Sequence, residues 1–211
     1  MNEEQFLQWM TAYAEALHAH KELLTQLDSQ IGDGDHGTNM VRGFQAVMTK
    51  LQSAPAGDIG SAAKLISSTL ISTVGGSSGP LYGTFFLKLA VILAHKSSCT
   101  TAELLEGLEK GCLGIQMLGK AQQGDKTMLD SIIPALAAFR QSAETGGDLG
   151  ACFAAAEHAA EEGMKATIPI VAKKGRASYL GARSAGHQDP GATSAYLLFK
   201  TAAAVLSKPA A

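Results

Sequence analysis

Apolar residues recur along this chain at steps of three and four, and no stretch alternates apolar and polar at a step of two. Phe6, Met10, Tyr13 and Leu17 fall on one face of a helix. Comparable patterns run over 39–53, 58–74, 80–95, 101–118, 126–144, 148–166 and 191–207. Alanine, the best helix former, is abundant throughout. The β-branched residues are scattered rather than grouped into runs. These patterns predict an all-α protein of about eight helices, read as one domain over 1–211, with no internal repeat and no low-complexity linker.

The connections between these helices come in two kinds, and the kinds alternate. Three are bland: Ser53-Ala54-Pro55-Ala56-Gly57, Lys96-Ser97-Ser98-Cys99-Thr100 and Thr145-Gly146-Gly147. The other four are dense in Gly, Asp, Ser, Lys and Arg, and hold twelve of the 23 glycines. Short connections favour antiparallel neighbours, so every second connection lies at the same end. The four rich connections are therefore expected to converge. Each also leads into a helix start. Pro80 and Pro190 read as N1 residues. Thr38 or Asn39 can cap one start, and Asp125 or Thr127 another. Up to four helix N-termini, each worth roughly +0.5 charge, would face one place and favour an anion such as phosphate.

The first rich connection, Leu27-Asp28-Ser29-Gln30-Ile31-Gly32-Asp33-Gly34-Asp35-His36-Gly37-Thr38-Asn39, puts three carboxylates on a glycine-rich turn. Hard oxygen donors of this kind suit Mg²⁺ shared with a substrate phosphate. A solvated acidic turn with helix caps is the competing reading. The run Gly32-Asp33-Gly34-Asp35-His36-Gly37 matches G-x-G-x-x-G, but it follows a helix, and its aspartates would repel an unshielded pyrophosphate. A bound cation would reverse that sign. An EF-hand is excluded because Phe44 stands where the bidentate Glu belongs.

The second connection, Gly75-Gly76-Ser77-Ser78-Gly79-Pro80, can form a backbone nest for an anion or simply let helices approach. The third, Gly119-Lys120-Ala121-Gln122-Gln123-Gly124-Asp125-Lys126-Thr127-Met128, imitates a Walker A motif. Asp125 separates Gly124 from Lys126, and no strand precedes it. Lys120 and Lys126 stand as phosphate contacts or as solvated lysines. The fourth, over 173–191, carries Lys173, Lys174, Arg176 and Arg183 together with His187 and Asp189. Loops of this length are usually functional or disordered, and its charged content favours function.

Net charge is −2 and lacks the basic excess of a nucleic-acid binder. Cys99, Cys112 and Cys152 form no metal or redox pattern and read as buried thiols. The polar start Met1-Asn2-Glu3-Glu4 is no signal peptide, and the apolar run from Leu81 to Ala94 contains Lys88 and is too short to span a bilayer. A soluble cytoplasmic protein is expected. The residues alone point to phosphoryl transfer with an Asp-held Mg²⁺ and a phosphate-rich ligand at one end of a helical bundle.

The run over 27–40, the segment Gly124-Asp125-Lys126-Thr127-Met128 with Asp130, and the stretch from Lys174 through Gly191-Ala192 closely resemble the ADP-binding L subunits of dihydroxyacetone kinases, over essentially the whole chain. The resemblance implies an antiparallel eight-helix up-and-down barrel with a nucleotide site at one end. It implies that Asp28, Asp33 and Asp35 hold two Mg²⁺ ions bridging the phosphates of a tightly bound ADP. It further implies nucleotide contacts from His36, Gly37, Thr38, Asn39, Ser77, Ser78, Gly119, Met128, Arg176, Asp189, Pro190 and Gly191, with Arg176 also serving transfer. Ser77 stands where relatives often carry another small residue. The sugar-binding K subunit would be a separate chain, and a multiphosphoryl M subunit would supply the phosphoryl group from a phosphohistidine. A homodimer is a further admissible assembly. Two alternatives stay open: an L subunit of an ATP-dependent kinase or of a kinase for another short ketose, and a non-catalytic ADP-binding regulator.

Overall fold

A computed structural model describes residues 1–53 and 57–207. Of the bland connection at 53–57, residues 54–56 lie outside the described residues. Nine α-helices occur among those described: α1 Glu3–Ala19, α2 Lys21–Ile31, α3 His36–Ser53, α4 Ile59–Thr73, α5 Ser78–Ile92, α6 Thr101–Gly119, α7 Leu129–Glu144, α8 Leu149–Ala166 and α9 Pro190–Leu206. A 3-10 stretch, Arg176–Ser184, precedes α9. The only bridge recorded among the described residues is isolated, between Asn2 and Ser98. The all-α reading therefore holds.

Each helix packs on the next in sequence, and α9 packs back on α1. That closure makes an up-and-down barrel. The first expected helix is really two, α1 and α2. At His20 the backbone leaves helical geometry (φ −105°, ψ 14°), while its ring nitrogen Nδ1 and its N–H both sit at the Ala16 carbonyl, 2.8 and 3.0 Å away. The break lets α1 line the core while α2 turns towards α3, α9 and the 3-10 stretch.

The interior is filled with aromatic rings that meet edge to face. Phe139 and Phe153 join α7 to α8 at 5.0 Å, Phe153 meets Trp9 at 5.4 Å, and Tyr13 meets Phe44 at 4.8 Å. Such pairs contribute about 0.5–1.5 kcal/mol each beyond area burial. Trp9 fastens the closing seam by donating its indole N–H to the Leu198 carbonyl at 2.9 Å. The three cysteines are free and buried, as expected. No helix among the described residues is long and apolar enough to cross a membrane.

Three helix starts differ from expectation. α3 begins at His36, so Thr38 and Asn39 lie inside its first turn and do not cap it. Asp28, on the preceding helix, does that work: its Oδ2 accepts the N–H groups of Asp35 (2.8 Å) and His36 (3.1 Å). α5 begins at Ser78, which places Pro80 in the first turn but not at N1. α7 begins at Leu129 behind Met128, so neither Asp125 nor Thr127 holds the capping position, although Thr127 Oγ1 accepts the Leu129 N–H at 3.2 Å. Pro190 is at N1 of α9, behind the cap Asp189.

Candidate functional site

The four rich connections meet. One cleft of about 230 Å³ is lined by residues from the ends of α2 and α3, from 75–78, from 119–129, from 174–177 and from 189–191. His36, Ser78, Leu129 and Pro190, which open α3, α5, α7 and α9, are all on its wall. Four helix N-termini therefore face one space, with the partial positive charge that accompanies each.

The acidic wall is built by the α2–α3 turn. Asp28, Asp33 and Asp35 each offer a carboxylate oxygen, and these oxygens lie within 4.8 Å of one another. Two glycines make the turn feasible. Gly34 has φ +74°, a conformation that side chains disfavour. At Gly32 a Cβ would stand 2.1 Å from Asp28 Oδ1, so glycine alone leaves that oxygen free while Oδ2 caps α3. A set of hard oxygens, one held and the others exposed, fits a magnesium ion. The guanidinium of Arg176 lies across the turn, 2.9 Å from Asp33.

Behind this wall His36 is buried. Burial lowers its pKa, against the opposing pull of Asp28 and Asp35, and so favours the neutral ring. Its Nε2 is 2.9 Å from Ser194 Oγ, which also contacts the Tyr82 hydroxyl (2.8 Å) and the Gly191 carbonyl (3.1 Å). A serine has one proton, and a carbonyl only accepts. Ser194 therefore donates to Gly191, while His36 Nε2–H and Tyr82 O–H donate to Ser194. Nδ1 of the neutral ring is left to accept from Ser78 O–H at 3.1 Å. Asp189 is buried at the start of α9. Desolvation first, with Asp130 and Asp28 adding repulsion, pushes its pKa up to about 7 against the Ala192 N–H that it accepts and the charge of Lys126.

Of the residues singled out from sequence, Asp28, Asp33, Asp35, His36, Ser77, Ser78, Gly119, Met128, Arg176, Asp189, Pro190 and Gly191 line the cleft. Gly37, Thr38 and Asn39 do not. Gly37 faces α2, where a Cβ would stand 2.1 Å from the Lys21 carbonyl. Thr38 is exposed. Asn39 Oδ1 accepts from Arg42 at 2.6 Å, and Arg42 also donates to the Thr73 carbonyl, so this pair ties α3 to the end of α4.

Of the two lysines of the third connection only Lys126, itself buried, reaches the cleft wall, and its ammonium is turned to backbone carbonyls. Lys120 ends α6 in left-handed geometry, off the cleft wall. The aspartates there are structural. Asp130 accepts the N–H groups of Gly124 and Thr127, and Asp125 accepts that of Gln122. Sequence reasoning missed Tyr82 and Ser194. Each lies four residues after a cleft residue, Ser78 and Pro190, on an otherwise apolar helix face; that spacing was the available signal.

Comparison with known proteins decides the lineage. A family model described as the DAK2 domain matches residues 30–204. The chain belongs to the DAK2 domain family. It is 44% identical over 200 residues to the ADP-binding subunit DhaL of the PEP-dependent dihydroxyacetone kinase of Escherichia coli, covering 95% of both chains. It is 40% identical over 195 residues to the corresponding subunit of the PTS-dependent enzyme of Lactococcus lactis, covering 92% of this chain and 93% of that one. A crystal structure of the C. freundii dihydroxyacetone kinase with AMP-PNP and Mg²⁺ superimposes with a TM-score of 0.73 at 26% identity, covering 93% of this chain. This DAK2 chain thus spans nearly all of its free-standing relatives, but about a third (33%) of that solved kinase.

Proposed function

We propose that this chain is the nucleotide-carrying subunit of a phosphoenolpyruvate-dependent dihydroxyacetone kinase, holding ADP and two Mg²⁺ ions in the cleft. One observation carries the reading: three convergent carboxylates share a single cleft with four helix N-termini and Arg176. Acids alone would repel a diphosphate, and N-termini alone would not select a metal. Together they suit a metal–diphosphate pair. The names of the free-standing relatives, ADP-binding subunits of PEP- or PTS-dependent dihydroxyacetone kinases, support the same ligand and phosphoryl donor.

In this reading Asp28, Asp33 and Asp35 hold the metal ions, and Oδ1 of Asp28 is the oxygen that Gly32 leaves open. The backbone N–H groups of Ser78 and Gly191, in the first turns of α5 and α9, bind phosphate oxygens, while those that open α3 are held by Asp28. Arg176 orients and neutralises the terminal phosphate. His36, fixed by Ser194, holds Ser78 in place. No side chain acts as the nucleophile. Bound ADP supplies the carrier on which a phosphoryl group travels from a phosphohistidine of the M subunit to dihydroxyacetone on the K subunit. The complex works in the cytoplasm.

Calorimetry with ADP, with and without Mg²⁺, tests the site. Metal-dependent binding is expected; tight binding without metal, or none with it, overturns the reading. Reconstitution with K and M subunits tests the role. Phosphoenolpyruvate-driven formation of dihydroxyacetone phosphate is expected, and turnover with free ATP alone would assign the chain to the ATP-dependent type.

A further inference from the structure

Lys126 sits in a loop that faces the cleft, where a phosphate-binding lysine would stand, yet its side chain turns away into the protein. The residue is 1% exposed. Its ammonium is bonded to five backbone carbonyls: Thr167 at 2.9 Å, Ile168 at 3.5 Å, Ile170 at 3.1 Å, Ser184 at 2.8 Å and His187 at 2.5 Å. Three of these open the long stretch between α8 and α9, and two close it. An ammonium has three protons for five oxygens, so several bonds are shared. Rings of carbonyl oxygens replace the hydration shell of a monovalent cation in ion filters, and this ring has the same chemistry.

Two bonds also cross the neck of this stretch directly, from Gly186 N–H to the Ile168 carbonyl at 2.7 Å and from Ala172 N–H to Ser184 Oγ at 2.8 Å, and ion pairs join Arg176 to Asp33 and Lys173 to Asp125. The apolar anchor of the stretch is a small cluster of Ile31, Ala172, Ala177 and Leu180, separate from the main core. The loop that carries Lys126 adds one backbone bond, from Lys173 N–H to the Asp125 carbonyl at 3.1 Å. The backbone of Lys126 itself has φ +65°, a region that non-glycine residues seldom occupy. Strain of this kind persists where the surroundings over-determine it. Between the two halves of the ring, residues 171–183 form a lobe that carries Arg176 to the cleft. Beyond its second half comes Asp189, whose N–H donates to Thr167 Oγ1 at 3.0 Å.

We propose that Lys126 is a positioning residue, a tethered cation that closes the neck of the 167–189 lobe and so sets Arg176 and Asp189 at the cleft. The consequence for nucleotide binding rests on the function proposed above; the closure of the lobe does not.

The test compares Lys126→Ala and Lys126→Met with the unaltered chain, by limited proteolysis and by calorimetry with Mg·ADP. Added methylammonium is set against tetramethylammonium at matched ionic strength. Lys126→Ala should keep its helical circular dichroism, become cleavable within 171–186, and bind Mg·ADP about 10–100-fold more weakly, the range for loss of a supporting partner. Methylammonium, which has N–H donors, should protect the lobe and recover affinity. Tetramethylammonium, which has none, should do neither. Lys126→Met fills the same space without charge, so it should be cleaved and not rescued. Unchanged cleavage and affinity in both variants would overturn the proposal. So would collapse of the whole helical signal, or equal rescue by both ions. If the unaltered chain binds no Mg·ADP, the nucleotide reading fails, while proteolysis and amine protection still decide the role of Lys126.

Discussion

At the scale of single residues, one acid type does four jobs here, set by what surrounds each carboxylate. Asp28 caps α3 with one oxygen and presents the other. Asp33 and Asp35 are exposed and face the same point. Asp130 ties a loop, and Asp189 caps α9 from a buried position. Asp33→Asn should abolish Mg²⁺-dependent retention of ADP, measured by gel filtration of the loaded chain. Its exposed pairing with Arg176 contributes little, so the urea midpoint should shift by no more than about 1 kcal/mol equivalent. Asp189 behaves differently because its folded pKa, about 7, lies above the ordinary 3.8. The folded state then binds the proton more tightly than the unfolded state. Its stabilising contribution is complete at acid pH below 3.8 and is lost as pH rises towards 7. Asn caps helices as well as Asp does. Asp189→Asn should therefore flatten the fall in melting temperature across that window and melt higher than the unaltered chain above it.

At the scale of elements, the site depends on how closely α2 and α3 approach. The carboxylate of Asp28 belongs to α2, while the N–H groups it caps open the next helix. Gly37 lets the two backbones meet: a Cβ there would stand 2.1 Å from the Lys21 carbonyl and 2.5 Å from Thr25 Oγ1. Gly37→Leu should push the helices apart and cost about 1–3 kcal/mol, the usual range for overpacking. Urea denaturation and Mg²⁺ titration on the same samples check this, with both midpoint and metal affinity expected to fall. Full Mg²⁺ affinity in a destabilised variant would show that the capping contact and the metal site are independent. The helix boundaries carry a related lesson. The break at His20 was not visible in the pattern of apolar residues, because Tyr13, Leu17 and Leu24 keep helical spacing across it. The break is a local bond to Ala16 that periodicity does not sense.

At the scale of the whole molecule, the barrel exists because α9 returns to α1. Trp9 sits at that seam, fully buried between Phe6 and Phe153 and bonded to Leu198. Trp9→Ala should cost about 3–5 kcal/mol, read from urea denaturation by far-ultraviolet circular dichroism. The loss should be global rather than confined to α1, because one continuous core joins all nine α-helices.

The sequence by itself determined the fold class and the end of the molecule where the chemistry lies. Helical periodicity is a local property, and alternation of rich and bland connections translates directly into two ends of an antiparallel bundle. The cleft wall was legible for the same reason, since Asp28, Asp33, Asp35, Ser78 and Arg176 all stand in the rich connections. What those local signals could not say is which way a side chain turns once there. Lys126, a candidate phosphate ligand by position, spends its charge on five carbonyls 41 to 61 residues away. Asn39 holds a neighbouring helix, and Ser194, inconspicuous in sequence, orients the cleft histidine. Only the tertiary structure decided these, because a buried polar group is directed by partners that close packing brings together from distant parts of the chain.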